Sequence, residues 1–209
     1  MRIVIKLLLV IVMFVAGIGI GIAMKPSHFQ VSRSAHIKAA PAAVFPHVNN
    51  LREWDAWSPW AKLDPAAKFS HEGPEEGSGA ICRWEGNQEV GVGSMTIVES
   101  EPAERVAINL EFVKPMAGVS LVEFTFVPEN DGTVVTWTMS GHNSFMAKVM
   151  GLFFDCEKMV GGMFEKGLAQ MKAVVEASPV KAPQAAPATQ ATEATQATQA
   201  TQAAASEAP

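Results

Sequence analysis

Hydrophobic and polar positions alternate cleanly in three stretches of the chain. Val106, Ile108, Leu110 and Phe112 share one face of the first, Val122, Phe124 and Phe126 one face of the second, and Val135, Trp137 and Met139 one face of the third. A period of two is the signature of a half-buried strand. The predicted strands are therefore Arg105–Val113, Ser120–Val127 and Thr133–Ser140, preceded by Phe29–Ile37, Ala80–Glu85 and Val90–Val98. Turn chemistry separates them in Glu85-Gly86-Asn87, in Lys114-Pro115-Met116-Ala117-Gly118 and in Glu129-Asn130-Asp131-Gly132. One apolar and one polar face per strand describes an antiparallel sheet covered on one side only.

After Ser140 the period lengthens. From about Ser144 to Ala177, apolar residues such as Phe145, Val149, Phe153, Val160, Phe164, Leu168 and Met171 recur at spacings of three and four, which predicts one long helix laid over the sheet. Gly161 and Gly162 interrupt that helix at about 1 kcal/mol each relative to alanine, so a bend or a close approach to the sheet is expected there. Upstream, Pro41 suits the first turn of a short helix at Ala40–Phe45, which Pro46 limits. Trp54-Asp55-Ala56-Trp57-Ser58-Pro59-Trp60 follows as a tryptophan-rich loop.

Both ends of the chain depart from this pattern. Leu7–Met24 carries no charged side chain, and its eighteen residues would form a helix roughly 27 Å long, enough to cross the hydrocarbon core of a bilayer. A secretory signal has a shorter apolar core, although Gly21-Ile22-Ala23 offers a small-x-small pattern for cleavage; length favours a retained anchor. Arg2 and Lys6 precede the span while Lys25, Arg33 and Lys38 follow it, so the positive-inside rule nearly ties. A short basic tail held in the cytoplasm would leave the rest of the chain periplasmic, on a bacterial inner membrane. Residues 178–209 form an Ala/Thr/Gln/Pro-rich tract with no large apolar residue after Val180, a composition expected to be disordered. The expected organisation is an anchor over 1–25, one domain over 26–177 and a tail over 178–209.

Composition narrows the functional classes. A net charge of −5 without any basic run gives no electrostatic footprint for nucleic acid. Cys82 and Cys156 are too far apart in sequence for a zinc or CxxC motif and read as small buried hydrophobes. The five histidines, His28, His36, His47, His71 and His142, are scattered over all the elements, so no metal site is expected. Neither a nucleophile elbow, a His-Glu-x-x-His motif nor a phosphate-binding glycine loop occurs, and no cofactor is implied.

The order of elements, a strand, a short helix, a run of antiparallel strands and one long C-terminal helix, is an α+β helix-grip arrangement. Together with the Trp57-Ser58-Pro59-Trp60 loop, Gly91-x-Gly93 followed by Ile97, Pro102, and the ending Phe164-Glu165-Lys166-Gly167-Leu168, it resembles the SRPBCC superfamily. Within that superfamily the chain is similar to the bacterial polyketide cyclase/dehydrase and lipid transport group, kin to START domains and plant pollen allergens. The resemblance covers about Phe29 to Ala177. It implies a deep apolar cavity between sheet and long helix that holds sterols, lipids, aromatic polyketides or hormones, but it names no reaction.

Trp57, Trp60, Trp84, Met95, Phe112, Phe124, Trp137, Met139, Phe153, Met163 and Phe164 are the candidate ligand contacts, as large apolar residues on the covered faces or the tryptophan loop. Periodicity alone cannot separate the wall of a cavity from a filled core, and loop tryptophans such as Trp54, Trp57 and Trp60 also suit a core plug or a membrane interface. Asp55 and His71, in loops at the expected mouth, and Arg83, in a strand, are the candidates for polar contact or acid-base work; each also reads as an ordinary solvated residue. The preferred function is a membrane-anchored protein that binds a hydrophobic small molecule or lipid. The alternatives are a cyclase/dehydrase-like enzyme acting on a polyketide-like substrate and a structural envelope domain with a filled core.

Overall fold

The computed structural model describes residues 2–24, 26–143, 148–149 and 155–177. An apolar helix, α1 (Arg2–Ala23), leads within a few residues into β1 (His28–Ile37), and three short helices follow: α2 (Pro41–Val44), α3 (Pro46–Asn49) and α4 (Trp54–Trp57). Six strands come next, namely β2 (Lys68–Glu72), β3 (Ile81–Glu85), β4 (Val92–Glu101), β5 (Arg105–Lys114), β6 (Gly118–Glu129) and β7 (Gly132–His142), and α5 (Cys156–Ala177) closes the domain. The seven strands form one antiparallel sheet in the order β1-β7-β6-β5-β4-β3-β2. Register shifts in β4, at Val92/Gly93 and Ile97/Glu99, give the sheet local bends.

The helix-grip reading holds, with three adjustments. β2 is a strand where a loop was expected: Lys68-Phe69-Ser70-His71-Glu72 carries one large apolar residue, too few to reveal a period, and pairs only along the β3 edge. His71 therefore belongs to an edge strand. The tryptophan segment is not an open loop, because Trp54–Trp57 winds into a helical turn and Trp60–Lys62 into a 3₁₀ turn. Helix α5 covers 156–177, whereas most of the predicted helix before Cys156, with Phe145 and Phe153, lies outside the described residues, as does the 178–209 tail.

Helix α5 has a clear direction over the sheet, the same as that of β1. Arg33 of β1 bonds Glu157 and Glu165, 2.8 and 2.7 Å away, whereas Lys172 Nζ donates to the His36 carbonyl at 2.8 Å and Glu176 accepts from the Lys38 backbone N–H at 2.8 Å. The start of α5 thus lies toward the start of β1 and its end toward Ile37. Of the two glycines, Gly161 makes the close approach: a Cβ there would strike the Arg33 guanidinium, while one at Gly162 would meet open space.

Candidate ligand-binding cavity

Strand pairing sorts the inner face of the sheet into two halves. Toward the end of β1 and the start of β5, the inner positions Ile37, Ile97, Val106, Phe124, Phe126 and Val135 are almost wholly buried, and α2, α3 and α4 add Val44, Val48 and Trp57, while the buried Leu51, Trp54 and Trp137 stand at the border with the other half. Toward the start of β1, the inner positions Met95, Leu110, Phe112 and Met139 are only partly covered. Between that second half and α5 is a cavity of about 310 Å³. Its size falls at the lower end of small-molecule sites, which are about 300–1,000 Å³ and mostly apolar.

The wall follows from the register. Met95 faces both Cys82 and Leu110 across the ladder, and Val122 faces both Ile108 and Met139, so each row places side chains from neighbouring strands side by side on one face. All six line the cavity, and Phe69, Trp84 and Phe112 continue the wall toward the sheet end. Trp84 fits because β4 has no side chain at Gly93, where a Cβ would fall 2.5 Å from the Trp84 ring. Gly91, at φ +72°, and Gly93 are the Gly-x-Gly pair of the sequence, and the second leaves room for this ring. Helix α5 contributes Val160 and Phe164, one helical turn apart, and the tryptophan segment contributes Trp54, Asp55, Ser58, Trp60 and Ala61.

Among the candidates, Trp60, Trp84, Met95, Phe112, Trp137, Met139 and Phe164 come together on this wall. Trp57 and Phe124 do not. Both are fully buried in the filled half, where Trp57 donates its indole N–H to the His47 carbonyl at 2.8 Å and the two rings meet edge to face at 6.1 Å. Met163 is also absent from the wall, because it sits beside the Val160–Phe164 line of α5 and so turns away from it by about one residue's rotation, ~100°. Phe153 lies outside the described residues. Periodicity overlooked Phe69 and Glu89, from β2 and the β3–β4 turn, since neither segment has a repeat to read, and Val90, expected to open a strand over Val90–Val98, lies instead in the turn before β4 and on the wall.

The polar candidates separate as well. Asp55 lines the cavity, but Arg83 points to the other face of the sheet and bonds Glu72 at 2.9 Å, and His71, though on the inner face with Phe69, is not part of the wall. Asp55, Glu89 and Cys82 are the titratable groups on the wall. Burial, reinforced by the Asp55 charge and opposed by Arg52, pushes the Cys82 thiol up to about 11, so it is a neutral small group rather than a thiolate. Among the described residues no cluster of three or more His, Cys, Asp or Glu side chains is placed to hold a metal ion.

The indole N–H groups of the site differ in their partners. Trp54 donates to the Val48 carbonyl at 3.1 Å and Trp84 to that of Val90 at 3.2 Å. Trp137, stacked on Phe164 with ring centres 4.1 Å apart and a 9° tilt, has a buried Nε1 with no acceptor among the described residues. Gly167 makes that stack possible, since a Cβ there would fall 2.8 Å from the Trp137 ring.

Residues 28–176 match the family described as polyketide cyclase / dehydrase and lipid transport. A search of curated proteins gives no match. Among solved structures, protein CV1439 from Chromobacterium violaceum aligns at a TM-score of 0.52 and 14% identity, covering 71% of this chain and 98% of that one. The Aha1 dimer from Colwellia psychrerythraea aligns at 0.52 and 15%, covering 71% and 97%. The di-domain ARO/CYC BexL of the BE-7585A biosynthetic pathway aligns at 0.55 and 13%, covering 77% of this chain and 54% of that one. At such identities the likeness shows the fold alone.

Proposed function

Because the chain belongs to the polyketide cyclase/dehydrase and lipid transport family, we propose that it is a membrane-anchored binding protein that holds a hydrophobic small molecule or lipid in its apolar cavity. The observation that carries this reading is that the hollow half of the domain is the half nearest the apolar helix. Helix α1 is long and apolar enough over Val4–Ala23 to cross a membrane, and most of its described side chains are exposed, with Ile22 buried near its end. Residues 24–27, fully extended, reach no more than ~14 Å, so the start of β1 stays close to the membrane surface. Phe29 pairs with Gly141, Gly141 with Ser120, Ser120 with Leu110, and Leu110 with Met95, which puts the first inner residue of β1 on the same row as the cavity wall. A molecule that resides in the bilayer then has a short path to an apolar site, with about 25 cal/mol per Å² of buried apolar surface to hold it. This reading takes the domain to be periplasmic, on a bacterial inner membrane.

Binding is preferred to turnover because the wall carries no paired acid and base among the described residues. Its titratable groups are two carboxylates, Asp55 and Glu89, and a neutral thiol, while His71 and Arg83 stand elsewhere. A photo-crosslinker tests the reading in native membranes. p-Benzoylphenylalanine at position 112 is expected to capture a lipid or other apolar molecule, and the same probe at position 126 is expected to capture only protein. Equal labelling at both positions, or none at 112, would contradict it.

A further inference from the structure

Resting on the binding reading above, we infer that the cavity selects an uncharged or cationic amphiphile whose hydrogen-bond acceptor meets the Trp137 indole N–H. Two independent observations lead there. The first is the unpaired donor. Trp54, Trp57 and Trp84 each give their indole N–H to a backbone carbonyl, so this chain satisfies its tryptophans where it can. Trp137 lines the cavity, is 2% exposed, and leaves Nε1 without a partner among the described residues. A buried donor without an acceptor is costly, and a carbonyl, ether or hydroxyl oxygen on a bound molecule removes that cost.

The second observation is the sign of the charge. Asp55 and Glu89 line the cavity, no Lys, Arg or His does, and neither carboxylate has a cation partner among the described residues. Arg52 is near enough to oppose the Asp55 effect on Cys82, yet it does not join the wall. A carboxylate, sulfonate or phosphate entering this site would face two like charges and no compensating cation, whereas a neutral or ammonium group would not. Both carboxylates are exposed, so the discrimination is expected to be about tenfold.

A matched pair of dyes reads the charge directly. N-phenyl-1-naphthylamine and 8-anilinonaphthalene-1-sulfonate share one apolar body and differ by a sulfonate. Each is titrated into the full chain in phosphatidylcholine nanodiscs, with empty discs subtracted and the cavity-filled variant Leu110→Trp as the control for site occupancy. The neutral dye is expected to bind at least tenfold more tightly than the sulfonate, and Asp55→Asn with Glu89→Gln to narrow the gap. Equal affinities in the unmodified chain would overturn charge selection while leaving the cavity reading in place. Binding of neither dye above the Leu110→Trp control would instead sink the cavity reading itself.

The acceptor is tested with 6-propionyl-2-dimethylaminonaphthalene, a neutral carbonyl probe, on Trp137→Phe, which keeps an aromatic ring on Phe164 and deletes the N–H. Its affinity is expected to fall about fivefold and its emission to shift to the blue, with N-phenyl-1-naphthylamine unchanged. Equal weakening of both probes would assign the effect to packing and overturn the acceptor role.

Discussion

The two halves of the inner sheet face use the same alphabet of large apolar residues and arrive at opposite outcomes. In one half Phe124, Phe126, Val106 and Val135 meet Trp54, Trp57 and the end of α5 and are sealed. In the other, Met95, Leu110, Phe112 and Met139 are of similar size but stop at a void. What differs is the cover. The short helices α2 and α3 and Trp57 of α4 fill the sealed core, whereas the hollow half is covered by Trp54, Ser58, Trp60 and Ala61 and by the first turns of α5, where Val160 precedes two glycines, Gly161 and Gly162. Cavity formation here is a property of the roof more than of the wall, and it concentrates the unsatisfied apolar surface at the end where the apolar helix α1 joins.

The largest expected break in this comparison is in stability. Phe124→Ala should cost about 3–5 kcal/mol, as an aromatic deletion in a sealed core does, while Phe112→Ala should cost less than about 1.5 kcal/mol because its ring already borders open space. Urea denaturation of the two variants side by side measures the gap, and equal losses would mean the halves are packed alike. Next in size is the effect of filling. Leu110→Trp or Met139→Trp should abolish probe binding by about a hundredfold or more with little loss of stability, whereas Val106→Trp, in the sealed half, should destabilise by about 1–3 kcal/mol or prevent folding.

Smaller still is a pH effect that senses the wall of the cavity. The Cys82 thiol ionises near 9.0 in an unfolded chain and near 11 when folded. Between those values the unfolded state has lost a proton that the folded state keeps, so stability present below pH 9 declines as pH rises toward 11. The loss should reach at most about 2–3 kcal/mol and should be missing from Cys82→Ser, whose denaturation curve provides the baseline. Below pH 9 the same burial should make Cys82 slow to alkylate, and slower again when a probe occupies the cavity. The smallest contrast concerns the roof. Gly162→Ala should gain about 0.5–1 kcal/mol of helix propensity in open space, but Gly161→Ala should gain nothing because its methyl displaces Arg33 from Glu157 and Glu165. Thermal unfolding resolves the two, and equal gains would place α5 farther from β1 than described.

Much of this architecture was legible in the residues because alternation and helical spacing are direct consequences of which faces are covered. The face shared by Val106, Ile108, Leu110 and Phe112 was readable from sequence, as were the hairpin turns and the glycine approach in α5. What alternation cannot carry is depth. Phe124 and Phe112 occupy equivalent positions in their own strands, and only the ladder, which sets Phe124 opposite Val106 and Trp137 and Phe112 opposite Gly118 and Gly93, tells which is sealed. Trp57 and Phe124 have the size expected of ligand contacts, and size is equally what fills a core. The polar residues were harder. Arg83 and His71 differ by which side of a pleat they take, and β2 is too polar to announce itself as a strand. The orphan Trp137 donor has no sequence signal at all, since it is defined by the acceptors its neighbours fail to supply.

The central claim is that the hollow half carries an apolar molecule, and native mass spectrometry of the full chain tests it most directly. The protein would be extracted from the membranes of its expression host into nanodiscs, released in the gas phase and compared with Leu110→Trp treated identically. A defined mass increment on the unmodified chain, lost on denaturation, missing from Leu110→Trp and identified as a lipid or other apolar compound, is the predicted result. The same increments on both chains, or a clean unliganded mass that persists after incubation with a total lipid extract, would contradict the account and leave the cavity without a resident ligand.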